Sequence, residues 1–120
     1  MKVYVDIDET ICEYPNEREY ELAEPIPERI AQINKLYDAG HEIYYWTARG
    51  TTTGIDWEEL TKKQFARWGV KYHGLFLKKP QYDIYIDDKS IQSERFFKTM
   101  LNNTPAVIRN PKSVFDAENE

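Results

Sequence analysis

Cysteine is all but absent from this chain of 120 residues. Cys12 stands alone, so neither an internal disulfide nor a cysteine-based zinc site can form. No histidine is set beside it to generate a catalytic thiolate. His41 and His73 are the only two histidines, and they lack metal-ligand spacing; each is expected to serve as a polar group at a strand end. Cations are in deficit as well: 16 Lys and Arg face 21 Asp and Glu, a net charge of −5. Phosphate backbones and acidic membranes need cationic neutralisation, so neither nucleic acid nor a membrane surface is an expected partner. A small phosphorylated substrate remains compatible if a cation sits in its site. No apolar run approaches the roughly 20 residues of a membrane span. The opening MKVYVDID is strand-like at once, with no apolar signal region before a cleavage site, which gives the expectation of a cytoplasmic protein. Internal repeats and low-complexity blocks are missing too.

What is there is an alternation of apolar runs and helical patterns, the mark of an α/β domain with a parallel sheet. Strands are predicted at Lys2–Asp6, Glu42–Thr47, Tyr72–Leu77 and Tyr82–Asp87, with a short one at Ala106–Ile108. A helix is predicted from Pro27 to Ala39: Pro27 suits a first turn, Gly40 a C-terminal stop, and Ile30, Ile33, Leu36 and Tyr37 share one face. Asp56 and Glu59 resemble a capping box opening a second helix that ends at Gly69, with Trp57, Leu60 and Trp68 on its inner face. A third helix is expected over Ser90–Leu101. The length suits one domain, placed at residues 1–110, with a polar tail at 111–120.

Three of the strands end in polar groups: Asp6-Ile7-Asp8-Glu9-Thr10, Thr47-Ala48-Arg49 and Asp87-Asp88. Open parallel sheets bind ligands at the carboxyl ends of their strands. Residues two apart on a strand share a face, so Asp6 and Asp8 can point into one site. Convergence of Asp6, Asp8, Asp87 and Asp88 would raise their pKa values by mutual repulsion. A hard divalent cation resolves that conflict, and all-oxygen ligation suits magnesium.

With these residues assembled, the sequence resembles the haloacid dehalogenase (HAD) superfamily of phosphatases. Asp6-Ile7-Asp8-Glu9-Thr10 matches the DxDxT first motif, Thr47 the Ser/Thr second motif, Lys79 before Pro80 the third-motif lysine, and Asp87-Asp88 the acidic fourth motif. The resemblance runs from about Val3 to Phe97. The strings WTARG, DWEEL, WGVKYH and KPQYDIYIDD are similar to small HAD proteins of capsule or polysaccharide biosynthesis.

The resemblance implies a Rossmann-like three-layer domain with strand order 5-4-1-2-3. It implies that Asp6 attacks phosphorus to form an aspartyl-phosphate and that Asp8 serves as acid and then base. Thr47, the Ala48 backbone and Lys79 would hold the phosphoryl oxygens. Magnesium would be bound through Asp6, the Asp8 carbonyl and the fourth motif, Asp88 ranking above Asp87. Only one of the adjacent Lys78 and Lys79 can point inward, and the Lys-Pro pairing favours Lys79. Glu9 departs from the glycine many relatives carry there. Arg49 either binds substrate anions or packs as a salt bridge.

Fewer than 20 residues separate Asp8 from the next helix, and one helix and one strand account for Arg49–Lys79, so no cap domain is expected. The remaining candidate for a cover is a flap at residues 11–26. It carries Tyr14 and Tyr20 for substrate contact, and Glu13, Glu17, Glu19, Glu21 and Glu24 to repel polyanions. The expected substrate is accordingly a small sugar phosphate, with self-association as a second way to cover the site. Two rival readings are open: a phosphatase of phosphoprotein or polynucleotide ends, and a catalytically silent binding module. The first lacks its usual insertions and a basic strip; the second is disfavoured by the presence of both Asp6 and Asp8.

Overall fold

Parallel strands cannot be joined by a tight turn, and here each crossover is made by a helix. In the computed structural model, which describes residues 1–100, β1 (Lys2–Val5) leads through a small hairpin, β2 (Cys12–Glu13) and β3 (Glu24–Pro25), into α1 (Pro27–Asp38). The chain returns as β4 (Glu42–Trp46), crosses by α2 (Glu58–Trp68) to β5 (Gly74–Phe76), and later forms α3 (Ser93–Met100). The sheet is parallel with order β1-β4-β5, Val3 opposite Ile43 and Tyr45 opposite Leu75. This is a small α/β fold of Rossmann-like type.

Strand alternation decides which side chains meet the helices. Val5, Ile43 and Tyr45 are buried, and they pack with Ile30, Ile33 and Leu36 of α1 and Phe65 of α2. On the opposite face Tyr4, Tyr44, Trp46 and Phe76 form an aromatic cluster with centroids 5.3–6.5 Å apart, Tyr4 and Phe76 being exposed among the described residues. Pro27 opens α1 with no amide to leave unpaired. Gly40, at φ +97°, closes it: its N–H donates to Tyr37 O and that of His41 to Leu36 O, the paired bonds of a Schellman ending. Gly69, at φ +70°, ends α2 in the same left-handed region.

Several expectations need correction. The five-strand order 5-4-1-2-3 is not the sheet observed, which has three strands among the described residues. Tyr82–Asp87 alternates like a strand yet pairs with nothing described, and Ile84 and Ile86 are 77% and 92% exposed. Alternation gives a chain two faces, but a strand exists only against a partner. Residues 106–108 and the tail at 111–120 lie outside the described residues. The inner face of α2 is Thr61, Gln64 and Phe65, while Trp57, Leu60 and Trp68 are only partly buried. At its start Asp56 accepts the Glu58 amide at 2.9 Å, a local turn in place of the expected capping box. Among the described residues no helix is long and apolar enough to cross a membrane.

Candidate active site

The turn after β1 is built to hold two carboxylates over a buried anchor. Ile7 and Ile11 are fully buried, and the amides of Thr10 and Ile11 both donate to Ile7 O, at 3.1 and 2.9 Å. Glu9, between them, sits at φ +63° with its amide bound to Cys12 O at 3.0 Å. That left-handed conformation costs a non-glycine residue roughly 1 kcal/mol. It explains why glycine is the easier residue at this point of the DxDxT pattern.

Asp8 is held from three sides. Arg49 Nη2 and Nε donate to its carboxylate at 2.9 and 3.2 Å, Tyr14 donates its hydroxyl to Oδ1, and the Cys12 thiol lies 3.5 Å away. Burial by itself raises the Asp8 pKa, but the Arg49 hydrogen bonds and charge, aided by Tyr14, outweigh it and hold the carboxyl below its usual range. Arg49 is fully buried, and its Nη1 donates onward to Thr61 Oγ1 at 3.0 Å and Gln64 Oε1 at 2.7 Å. Its guanidinium also lies 5.0 Å over the Tyr20 ring. A buried guanidinium must find acceptors, and that is why α2 turns Thr61 and Gln64 inward. The salt bridge expected as one role of Arg49 is formed, with Asp8 as its partner. Cys12 is buried beneath Asp8; burial and that carboxylate push its thiol up to about 12, which makes it a packing group and not a thiolate.

Asp6 is in a different state. Its side chain is 40% exposed and faces Lys79, whose Nζ lies 3.7 Å from Oδ1. Burial raises its pKa; Lys79 and the Ile7 amide pull downward without cancelling that effect. Two carboxylates two residues apart are thus driven in opposite directions by their surroundings. Lys79 is anchored through its backbone: its N–H donates to Thr47 O at 3.0 Å, and its ammonium lies near the rings of Trp46 and Tyr82. Lys78 is exposed with φ +67°. That kink turns consecutive lysines to different sides, and it is Lys79 that faces Asp6.

A cavity of about 330 Å³ opens over these groups, lined by Asp6, Asp8, Ala48, Arg49 and Lys79, with Arg18, Tyr20 and Tyr82 at its sides. Thr47 stands behind the wall: it is buried, and its hydroxyl accepts the Arg49 amide at 3.1 Å. Asp87 and Asp88 are not on the cavity wall; both are exposed, in the run that joins no strand. The described residues hold no cluster of three or more metal-ligating side chains. His41 and His73 take polar positions at strand ends: His41 Nδ1 meets the amino terminus at 3.0 Å, and His73 Nδ1 accepts the Ile43 amide at 3.0 Å.

Sequence reasoning did not single out Arg18, Thr61 and Gln64, and it gave Tyr14 and Tyr20 only a substrate role. Thr61 and Gln64, three apart beside Phe65, were the legible signal of a polar stripe on an inward helix face. The hairpin of β2 and β3 brings Tyr14 and Tyr20 to the Asp8–Arg49 pair, and Gln64 Nε2 donates to Tyr20 O at 2.6 Å.

Parallel strands joined by helices, with the polar cavity at their carboxyl ends, define the class as α/β. That fold is shared with a particular protein of Vibrio cholerae, solved by crystallography as an MCSG target. It has a TM-score of 0.75 and 22% sequence identity, over 98% of this chain and 96% of that one. The likeness is one of fold. No protein-family description matches the chain, and no curated protein does.

Proposed function

We propose that this chain is a phosphomonoester hydrolase of the HAD type, acting on a small sugar phosphate through an aspartyl-phosphate. The observation that carries the reading is the Asp6–Lys79 pair, a half-exposed carboxylate facing an ammonium at 3.7 Å across an open polar cavity. Asp6 Oδ attacks phosphorus in line; the P–O bond to the alcohol breaks, and the alcohol oxygen takes the proton of Asp8, which the second step restores. Lys79 offsets charge on the transferring phosphoryl group, with the Ala48 backbone beside it. Water then attacks the acyl phosphate, giving up its proton to Asp8 and releasing inorganic phosphate and free Asp6.

Arg49 and Tyr14 fit Asp8 for the second half-reaction, because they hold it ionised. In the first half-reaction they oppose it as an acid, so leaving groups that need little protonation should react most readily. The Thr47 hydroxyl accepts the Arg49 amide and keeps its own hydrogen to donate to a phosphate oxygen.

Magnesium, which the resemblance implies through Asp6, the Asp8 carbonyl and the fourth motif, would find Asp6 at the cavity, while Asp87 and Asp88 are not on its wall. No step above is routed through it. Loss of turnover on chelation, restored by magnesium, would require Asp87 and Asp88 to close on Asp6. A panel of sugar phosphates, nucleotides and phosphopeptides, scored by kcat/KM, tests the reading as a whole. Preference for a sugar phosphate supports it, and a preference for phosphopeptides or polynucleotide ends supports the rival phosphatase. Absence of turnover on the panel and on an aryl phosphate supports a silent module.

A further inference from the structure

The cavity wall carries two carboxylates, Asp6 and Asp8, and three cations, Arg18, Arg49 and Lys79. Arg49 is committed to Asp8, and Lys79 faces Asp6. A phosphomonoester dianion arriving beside an ionised Asp6 adds two negative charges, which Lys79 alone does not balance. Arg18 is the remaining cation on that wall. It sits on the β2–β3 hairpin with a half-exposed guanidinium, 5.7 Å over the Tyr14 ring, and its carboxylate partner is Glu9 at 3.5 Å.

The Glu9–Arg18 pair is a poor candidate for a stabilising contact. The two side chains are 58% and 48% exposed, and exposed ion pairs contribute little. Glu9 also occupies a left-handed position, φ +63°, that favours glycine. A carboxylate therefore stands against the preference of the backbone, beside the one cavity cation whose ion-pair partner among the described residues is not itself a cavity carboxylate. A guanidinium binds a phosphate in bidentate fashion more tightly than it holds an exposed carboxylate.

We infer that Arg18 is the second anion-binding residue of this site, and that Glu9 is its resident counter-charge, displaced when a phosphate dianion enters. The exchange couples substrate binding to the hairpin: as Arg18 turns from Glu9 to the anion, Tyr14 and Tyr20 on the same hairpin are drawn with it. This deepens the phosphatase reading and rests on its phosphate site, but not on turnover.

The two partners of the pair make opposite predictions. If the contact only ties the hairpin down, Arg18→Gln and Glu9→Gln loosen the same contact and act in the same direction. If Glu9 competes with the anion, they act in opposite directions. The experiment is calorimetric titration with inorganic phosphate of the wild type and both variants, each checked by circular dichroism for an unchanged fold. Arg18→Gln should weaken phosphate binding about tenfold, the loss of one charge-assisted contact. Glu9→Gln, which keeps the backbone conformation and removes only the charge, should tighten it about threefold. An unchanged affinity in Arg18→Gln, or a shift of both variants in one direction, overturns the inference and leaves the phosphatase reading standing. Failure of the wild type to bind phosphate at millimolar concentration overturns both.

Discussion

Arg49 Nη2 lies 2.9 Å from Asp8 Oδ1, with both side chains buried at the carboxyl end of the sheet. The pair is more than a contact, because Thr61 and Gln64 of α2 are turned inward to complete it. Removing one partner leaves an uncompensated buried charge. Arg49→Met should therefore destabilise the fold by about 3–5 kcal/mol in urea unfolding. Asp8 has a lowered folded pKa, so its contribution to stability is present above the unfolded carboxyl range and is lost as pH falls through the folded value. In Arg49→Met that acid-side loss should shrink or invert. An unchanged stability and pH profile would show that the pair holds nothing together.

Asp6 carries the opposite sign. Its folded pKa is raised, so its ionisation works against folding from the unfolded carboxyl range upward, and the penalty is relieved as pH falls. Asp6→Asn should abolish turnover by several powers of ten while raising the melting temperature at neutral pH. Thermal unfolding beside a turnover assay checks both. A variant that is both active and less stable would contradict the assignment of Asp6.

Lys79→Ala should lower kcat/KM about a hundredfold or more, since it removes the cation facing the transferring group. Lys78→Ala, at an exposed and turned-out position, should change it less than about twofold. The reverse order in steady-state kinetics would place Lys78 in the cavity.

Tyr45 is fully buried between Phe65 and Tyr72, and its hydroxyl has no hydrogen-bond partner among the described residues. Tyr45→Phe keeps the ring contacts and removes an unpaired polar group, so it should stabilise the protein by about 1–2 kcal/mol. A loss of stability in denaturant unfolding would reveal a partner for that hydroxyl.

Much of this arrangement was legible in the sequence because it depends on local signals. Pro27 and Gly40 bracket α1 as their backbone preferences require, and Ile30, Ile33 and Leu36 mark its buried face by spacing alone. Asp6, Asp8 and Lys79 reach one cavity because strand ends in a parallel sheet share an edge. The spacing of Thr61 and Gln64 beside Phe65 was a legible signal on α2, but the reason a polar stripe faces inward was not, because it is a guanidinium on another segment. Tyr82–Asp87 has the strand alternation but not the pairing, which depends on a neighbour and not on its own residues. The same absence of a partner leaves Asp87 and Asp88 away from Asp6. Arg18 was hidden among the glutamates of the hairpin, where composition pointed to repulsion and only geometry showed a cation on the cavity wall.

In the proposed reaction Asp6 takes the phosphoryl group. Acid quenching during turnover of an aryl phosphate, followed by peptide mass analysis, tests it most directly. One phosphoryl adduct per chain is expected, mapped to Asp6 and lost in Asp6→Asn. Steady turnover with no adduct at Asp6, or an adduct that persists in Asp6→Asn, would contradict it.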